Sequence, residues 1–330
     1  MANKKLLITG ATGFIGQHFI NRLSQEPELT LKLLVRKSSD LSAFNNLGLE
    51  IAYADLNNPE SLTGICRGID TVVHLAAQVD CPEIKNEIYE RINYQGGLAL
   101  AKEAVSAGVN KFILISSIAA MGIRDIGKVN EEFPCSPTHQ YGKSKLHLEN
   151  DLLELGKKHN LDIIILRPPT VYGVGEKYNF LRLTRQIING PFFFIGNGLN
   201  HMDFCSVDNL VEAIRLSITR GTGHNCYLIT DATPYTIKEV AQTITELTGA
   251  QMPQLKIPRS AAYLAAYLLA WGGKLFNFSP PLYPSRVQTL TASFFFDLSK
   301  AKKELNYQPS GDFRAEVKKT IDSYRNRGLL

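Results

Sequence analysis

Short apolar runs recur along the first half of the chain, and each is followed by a segment with helical periodicity. The runs lie at 5–9, 31–35, 71–75, 111–116 and 162–167, with a weaker one at 50–53. The helical patterns lie between them, at 14–25, 59–67, 83–107 and 140–158. This alternation predicts an α/β fold with a doubly wound parallel sheet, in which ligands bind beyond the carboxyl ends of the strands.

The pattern loosens after residue 167. Pro168 and Pro169 end the last run, because proline has no N–H to donate to a sheet. Glycines then recur at close spacing until a second strand and helix pattern appears at 202–220. At about 150 residues per domain, the length predicts two domains. We expect a larger domain formed by 1–172 and 202–220, and a smaller C-terminal domain formed by 173–201 and 221–330.

The composition is that of a globular protein, with 44% hydrophobic and 20% charged residues. It excludes a disordered, collagen-like or polytopic membrane protein. The five cysteines and seven histidines show no metal-ligand spacing, so we predict no metal site. The first apolar run is too short for a signal peptide, which predicts a cytoplasmic location.

The basic charge belongs to the C-terminal part of the chain. The formal net charge of +5 divides into +7 for residues 251–330 and −2 for the rest. Such a surface favours an anionic substrate or an anionic membrane, although an ordinary solvated surface is an alternative. Aromatic and basic residues do not interleave in a nucleic-acid-binding pattern, so no nucleic-acid partner is predicted.

A glycine-rich loop follows the first apolar run and opens the first helix. The loop has the spacing Gly10-x-x-Gly13-x-x-Gly16, and it includes Thr12, Phe14 and Ile15. Glycine allows a close backbone approach, and a helix N-terminus offers N–H groups and a positive dipole end to phosphate. This context predicts a dinucleotide-binding Rossmann domain, and the smaller domain is left to bind substrate.

The second strand end indicates which dinucleotide is bound. Twenty residues past Gly16, where an acid would bind the ribose of NAD, the chain has Arg36 and Lys37. Two cations suit a 2′-phosphate, so NADP is predicted, with NAD as the alternative. Asp55 and Leu56, after the weak third strand, are predicted to contact the adenine.

Tyr141 and Lys145 are four residues apart in a helical segment, which places them on one face. A neighbouring ammonium and an oxidised nicotinamide favour the phenolate and so lower the pKa of the tyrosine. Ser117 follows an apolar run and is expected at a strand end, where it can orient a substrate oxygen. These three residues predict proton transfer coupled to hydride transfer.

Taken together, the motifs resemble those of the extended short-chain dehydrogenases/reductases, also called the NAD-dependent epimerase/dehydratase superfamily. The matching segments are TGATGFIG, ADL (54–56), HLAA (74–77), ISS (115–117), YGKSK (141–145), RPPTVYG (167–173), DFCSVDNLVEAI (203–214) and FDLSKAKKELNYQP (296–309). The resemblance implies that Ser117, Tyr141 and Lys145 are the catalytic triad. It implies further cofactor contacts at Leu75, Ala76, Ala77, Asn93, Pro168 and Val171, with His74 beside them. Asn93 also matches the family's structural or proton-relay asparagine. A homodimer through the helices at 83–107 and 140–158 is also implied.

Two departures from the family pattern bear on the substrate. Dehydratases of the family resemble one another in a Thr-Asp-Glu sequence, where this chain has Ser116-Ser117-Ile118, which argues against water elimination. Nucleotide-sugar epimerases often carry an arginine before the Asp-Phe pair, and here Met202 precedes Asp203. Methionine cannot pair with a diphosphate, so binding of a nucleotide sugar is disfavoured.

The segment 258–278, PRSAAYLAAYLLAWGGKLFNF, is unusually apolar. It predicts a helix at 260–271 that Gly272 and Gly273 end. Twelve residues span about 18 Å, too little for a hydrocarbon core of about 30 Å. Three interpretations stay open: a core helix, a lid over an apolar substrate, and a peripheral anchor at a membrane. Similar stretches in relatives that resemble 3β-hydroxysteroid dehydrogenases and dihydroflavonol reductases favour an apolar substrate.

The sequence therefore predicts an NAD(P)-dependent oxidoreductase that moves a hydride between a nicotinamide and a carbonyl or alcohol group. One alternative is a nucleotide-sugar epimerase that holds NAD tightly. The other is a non-catalytic dinucleotide-binding subunit, although such proteins often lack the tyrosine or lysine that this chain has.

Overall fold

The computed structural model describes residues 4–45, 47–81, 84–122, 124–190, 192–276 and 284–330. In chain order, its strands are β1 (Lys4–Thr9), β2 (Leu29–Val35), β3 (Glu50–Tyr53), β4 (Thr71–His74), β5 (Lys111–Ile115), β6 (Gly127–Val129), β7 (Asp162–Arg167), β8 (Thr170–Tyr172), β9 (Phe194–Ile195), β10 (His201–Met202), β11 (Phe204–Ser206), β12 (His224–Leu228), β13 (Tyr235–Thr236), β14 (Lys256–Ile257) and β15 (Phe294–Phe296). The helices are α1 (Phe14–Leu23), α2 (Asn86–Ile88), α3 (Gly97–Ser106), α4 (Gln140–His159), α5 (Asn179–Asn189), α6 (Val207–Arg220), α7 (Ile237–Thr248), α8 (Arg259–Phe276), α9 (Pro284–Thr291), α10 (Ser299–Leu305) and α11 (Phe313–Asn326).

The six apolar runs predicted as strands between residues 5 and 167 all belong to one parallel sheet, which confirms the predicted fold class. The strand predicted at the start of 202–220 instead forms β10 and β11, which lie in smaller sheets. The order of the main sheet is β12-β7-β5-β4-β1-β2-β3, and every pairing is parallel. Apolar side chains on one face pack against α1, α6 and α10. Those on the other face pack against α3 and α4. Burial on both faces explains why these strands read as continuous apolar runs.

The position of β12 contradicts the prediction that residues 221–330 all belong to the smaller domain. This strand pairs with β7 over five residues and so forms one edge of the main sheet. Tyr307, also in that range, is fully buried among the side chains that cover this sheet. The chain thus returns to the larger domain twice after leaving it, and the short run at 224–228 gave no signal of this.

The rest of the C-terminal half has small sheets and a core of its own. A four-stranded sheet has the order β13-β10-β15-β6, and two pairs form between β11 and β8 and between β14 and β9. Helices α5, α7 and α11 enclose a separate apolar cluster. Asp231 links this part to the main sheet, because it accepts hydrogen bonds from Tyr172, from Asn209 and from the backbone of Ser206.

Three predicted helices have different forms in the structure. In the range 59–67, only Pro59–Leu62 is helical, as a 3₁₀ turn, and Gly64 has a positive φ of 76°. In the range 83–107, Tyr89–Gly96 forms a wider π-helical segment between α2 and α3. Helix α8 does not end at Gly272 but continues to Phe276. A glycine costs only about 1 kcal/mol in a helix, so the surrounding helix can override it.

The interpretation of α8 as a core helix is wrong for four of its large apolar side chains. Leu264, Tyr267, Leu268 and Trp271 are 60–68% exposed. Among the described residues, no helix is long and apolar enough to cross a membrane.

Candidate active site

The glycine loop makes a tight turn between β1 and α1. Gly10 has φ of 71°, and a Cβ there would lie 2.6 Å from the backbone nitrogen of Ala76. A Cβ on Gly16 would collide with the carbonyl oxygens of Gly10 and Ala11. Both positions therefore require glycine.

Helix α1 begins beside this turn without a side-chain cap. Its N-cap residue is Gly13, which has no side chain that could accept from the first-turn N–H groups. Uncapped N–H groups at the positive end of a helix dipole form an anion site. The turn and the helix start therefore fit a dinucleotide pyrophosphate.

A cavity of about 1040 Å³ extends from this loop across the carboxyl ends of the strands. Most of the predicted site residues line it. They are Gly10, Thr12, Gly13, Phe14, Ile15, Gly16, Arg36, Asp55, Leu56, Leu75, Ala76, Ala77, Ser117, Tyr141, Lys145, Pro168 and Val171. The cavity thus joins the phosphate loop at one end to the tyrosine and lysine at the other.

Lys37 and Asn93 are not among the described residues that line this cavity. Lys37 is exposed to solvent next to Arg36, so only one of the two predicted cations faces the site. Asn93 is buried and bonds to the backbone of Gln78, accepting from its N–H at 2.7 Å and donating to its carbonyl at 3.0 Å. The prediction that Asn93 contacts the cofactor is therefore replaced by a supporting position behind the loop at Gln78.

His74 also lies behind the cavity wall. Its Nδ1 is 2.8 Å from the hydroxyl of Thr9, which in turn accepts from the backbone N–H of Ala76 at 3.1 Å. Burial, with a smaller contribution from the charge of Lys145, lowers the pKa of His74 to about 3. The imidazole is therefore neutral and holds the Leu75–Ala77 wall through Thr9.

Ser117, Tyr141 and Lys145 come together where β5 ends and α4 begins. Ser117 caps a 3₁₀ turn by accepting from the N–H of Ala119 at 3.1 Å. The Nζ of Lys145 donates to the carbonyl of Ile115 at 3.0 Å and lies 6.0 Å from the centre of the Tyr141 ring. A hydroxyl, a phenol and an ammonium thus face one cavity.

Burial determines the protonation of this cluster. It raises the pKa of Tyr141 to about 12, against a lowering by the hydrogen bond from Ser117. It lowers the pKa of Lys145 to about 8, against a raising by Glu149. The expectation that Lys145 lowers the pKa of Tyr141 is not met by the protein's own groups, because desolvation of the phenolate outweighs the distant ammonium. Tyr141 is therefore protonated at neutral pH.

A buried ion pair fixes α4 against the strand ends. Glu149, one turn beyond Lys145, accepts from Arg167 at 2.5 Å and also from the hydroxyl of Ser116. Arg167 ends β7, and Ser116 follows β5. This contact sets the position of the helix that carries the tyrosine and the lysine.

The structure adds site residues that the sequence reasoning missed. The cavity is also lined by Ser39, Gln78, Val79, Asp80, Thr138, Glu176, Lys177, Tyr178, Asn179 and Arg327. His139, two residues before Tyr141, also lines the cavity, stacks on the Tyr141 ring at 6.2 Å and caps α4. Its place directly before the helix was the available signal.

The sequence is similar to a known protein family and to characterised members of it. Residues 6–229 match the model of the NAD dependent epimerase/dehydratase family. The chain is 29% identical to the UDP-glucose 4-epimerase of Vibrio cholerae, covering 97% of this chain and 95% of that protein. It is 28% identical to 3beta-hydroxysteroid-dehydrogenase/decarboxylase isoform 1 of Arabidopsis thaliana, covering 96% and 79%.

A solved structure supports the same assignment. The crystal structure of gox2253 is 28% identical and superposes with a TM-score of 0.87, covering 99% of this chain and 100% of that one. The family match spans the cavity from the glycine loop to the lysine. The chain belongs to the NAD dependent epimerase/dehydratase family, the extended short-chain dehydrogenases/reductases.

Proposed function

We propose that this protein is an NADP-preferring oxidoreductase that interconverts a carbonyl and an alcohol group on an apolar substrate. The observation that carries this proposal is the cluster of Ser117, Tyr141 and Lys145 in the same cavity as the glycine loop. In this proposal, residues 173–201 and much of 221–330 form the substrate-binding part.

Tyr141, Ser117 and Lys145 each have a separate role in the proposed reaction. Bound nicotinamide supplies or accepts the hydride. In reduction, Tyr141 donates its phenolic proton to the carbonyl oxygen, and in oxidation it takes that proton back. Ser117 holds the same oxygen. Lys145 would hold the nicotinamide ribose, and its ammonium would partly offset the burial that disfavours the phenolate. A tyrosine that is protonated at neutral pH is ready for the reductive direction.

The preference for NADP rests on Arg36. Arg36 belongs to the cavity lining at the end of β2 together with Ser39, whose hydroxyl accepts from the Arg36 backbone N–H at 3.1 Å. The two residues close a turn, with the Ser39 N–H donating to the Arg36 carbonyl at 2.9 Å. A cation and a hydroxyl at this position suit a 2′-phosphate.

Tyr141→Phe tests the mechanism. We expect nearly unchanged binding of NADPH, because the ring and its stacking on His139 remain, and loss of turnover with a 3-ketosteroid or 3β-hydroxysteroid. Binding is measured by calorimetry and turnover by nicotinamide absorbance. A phenylalanine variant with normal turnover would exclude Tyr141 as the proton donor.

The epimerase is the second candidate, because the similarity to a UDP-glucose 4-epimerase spans nearly the whole chain. Nucleotide released by denaturing the purified protein separates the two. Stoichiometric NAD retained through purification, with conversion of UDP-glucose, would favour the epimerase. Exchangeable NADP(H) without that conversion would favour the oxidoreductase.

A further inference from the structure

Helix α8 presents its large apolar side chains to water. Leu264, Tyr267, Leu268 and Trp271 follow the spacing i, i+3, i+4, i+7 and form one stripe, here called the α8 outer face. Each is at least 60% exposed. Four adjacent side chains of this size form a continuous apolar patch, which marks an interaction site.

The opposite face of α8 packs against the protein mainly through small residues, with Tyr263 partly buried beside them. Ala262 and Ala266 are buried against Ile195 and Val287. An ordinary surface helix places its large apolar side chains inward. Here the order is reversed, so folding alone does not account for the α8 outer face.

The α8 outer face is also not part of the active site. None of the described residues of α8 lines the large cavity, so in this position the helix does not act as a lid over it. The interpretation as a lid is therefore not supported.

The charge of the surrounding segment indicates the partner. Residues 251–296 contain four cations, Lys256, Arg259, Lys274 and Arg286, and no acid. Lys256 and Arg259 lie exposed just before and at the start of α8. Arg259 pairs with Asp125 at 3.2 Å, and Lys256 remains as the flanking cation with a described, solvent-exposed side chain.

We propose that the α8 outer face docks on an anionic lipid surface, with the helix in the plane of the headgroups. Leucines enter the apolar layer, while tyrosine and tryptophan are the side chains that favour the membrane–water interface. Eighteen residues span about 27 Å along the surface. A second copy of the chain fits this face less well, because a symmetric pairing would oppose two identical cationic segments that contain no acid.

The tryptophan makes the test direct, since Trp271 is the only tryptophan in the chain. We expect its emission to move to shorter wavelength with vesicles of phosphatidylcholine and phosphatidylglycerol, and to be quenched when the phosphatidylcholine is brominated. The shift should be smaller with phosphatidylcholine alone and smaller at high salt, because screening weakens attraction between exposed charges.

The double variant Leu264→Gln/Leu268→Gln keeps the fluorophore and changes only exposed positions. We expect an unchanged melting temperature with loss of both the emission shift and flotation. A matched control is Tyr53→Gln/Leu199→Gln, which changes two apolar side chains of similar exposure elsewhere and should bind vesicles like the unchanged protein.

Two results would overturn the proposal. One is the absence of a shift and of flotation for the unchanged protein at low salt. The other is self-association, seen by sedimentation without lipid, that only the α8 double variant abolishes. The second result would assign the face to another copy of the chain.

Discussion

Arg36 and Lys37 are adjacent cations with different surroundings, and this difference makes a sharp prediction. Arg36→Ala should weaken NADPH binding about tenfold and leave NADH binding unchanged. The expected loss is only about 1.4 kcal/mol, because an exposed guanidinium is screened by solvent. Lys37→Ala is the matched control and should change neither affinity, since Lys37 is not among the described cavity-lining residues. Calorimetric titration with both nucleotides measures this.

Equal losses for both variants, or an equal loss for NADH, would contradict the assignment of Arg36 to the 2′-phosphate. In that case the two cations would contribute only a general positive potential to the cavity.

The identities of the chemical groups were readable from sequence, but their surroundings were not. Tyr141, Lys145 and Ser117 were singled out by spacing and by position after an apolar run, and the structure places all three in one cavity. The rise in the pKa of Tyr141 was not predictable, because it comes from burial by residues far apart in sequence. The same holds for Asn93, whose partner Gln78 lies in a loop with no regular pattern.

At the scale of elements, the turn between β1 and α1 tolerates few substitutions. Gly16→Ala should weaken NADPH binding at least tenfold and destabilise the fold by about 1–3 kcal/mol, because the new methyl group collides with the loop carbonyls. Calorimetry and urea unfolding measure the two effects. Asn21→Ala, at an exposed position of the same helix, should leave both unchanged. Normal nucleotide affinity in the Gly16 variant would show that the turn can shift without consequence.

Regular elements were predicted where local pattern and tertiary packing agree. Six of the seven strands of the main sheet, α1 and α4 have the predicted places, since an apolar run buried on both faces is a strong signal. The prediction failed where packing overrides local preference. Helix α8 runs through Gly272 and Gly273, and Gly273 is buried. β12 and β7 pair although they are about 60 residues apart in the sequence, so no local sequence pattern indicates this pairing.

At the scale of the whole molecule, Asp203 ties the stability of the fold to pH. This carboxyl accepts from the N–H of Phe296 at 2.7 Å, and burial raises its pKa to about 7. The folded state then holds a proton that the unfolded state releases above about pH 4. The contribution of Asp203 is therefore fully present below pH 4 and is lost as the pH rises through 7.

Asp203→Asn mimics the protonated carboxyl and removes this dependence. Relative to the unchanged protein, the variant should gain free energy of unfolding steadily between about pH 4 and pH 7. Urea unfolding across that range measures the difference. Asp208→Asn, whose side chain is 67% exposed, is the control and should show no such trend. A constant difference for Asp203→Asn would mean that this carboxyl is ionised in the folded protein.

Some expectations about the whole molecule stay predictions. They are the homodimer through the helices at 83–107 and 140–158, the cytoplasmic location, and the division between dinucleotide-binding and substrate-binding parts. They concern a second copy of the chain, the cellular compartment and bound ligands.

The return of the chain to the main sheet at β12 limits how this protein can be divided into fragments. A fragment that ends at residue 172 would keep β7 but lose the strand that covers its edge. An uncovered strand edge is a template for aggregation. The protein therefore cannot be divided into two halves that are expressed separately. New specificity has to be grafted as segments within 173–201 or after β12, with the strands of the main sheet and α6 left in place.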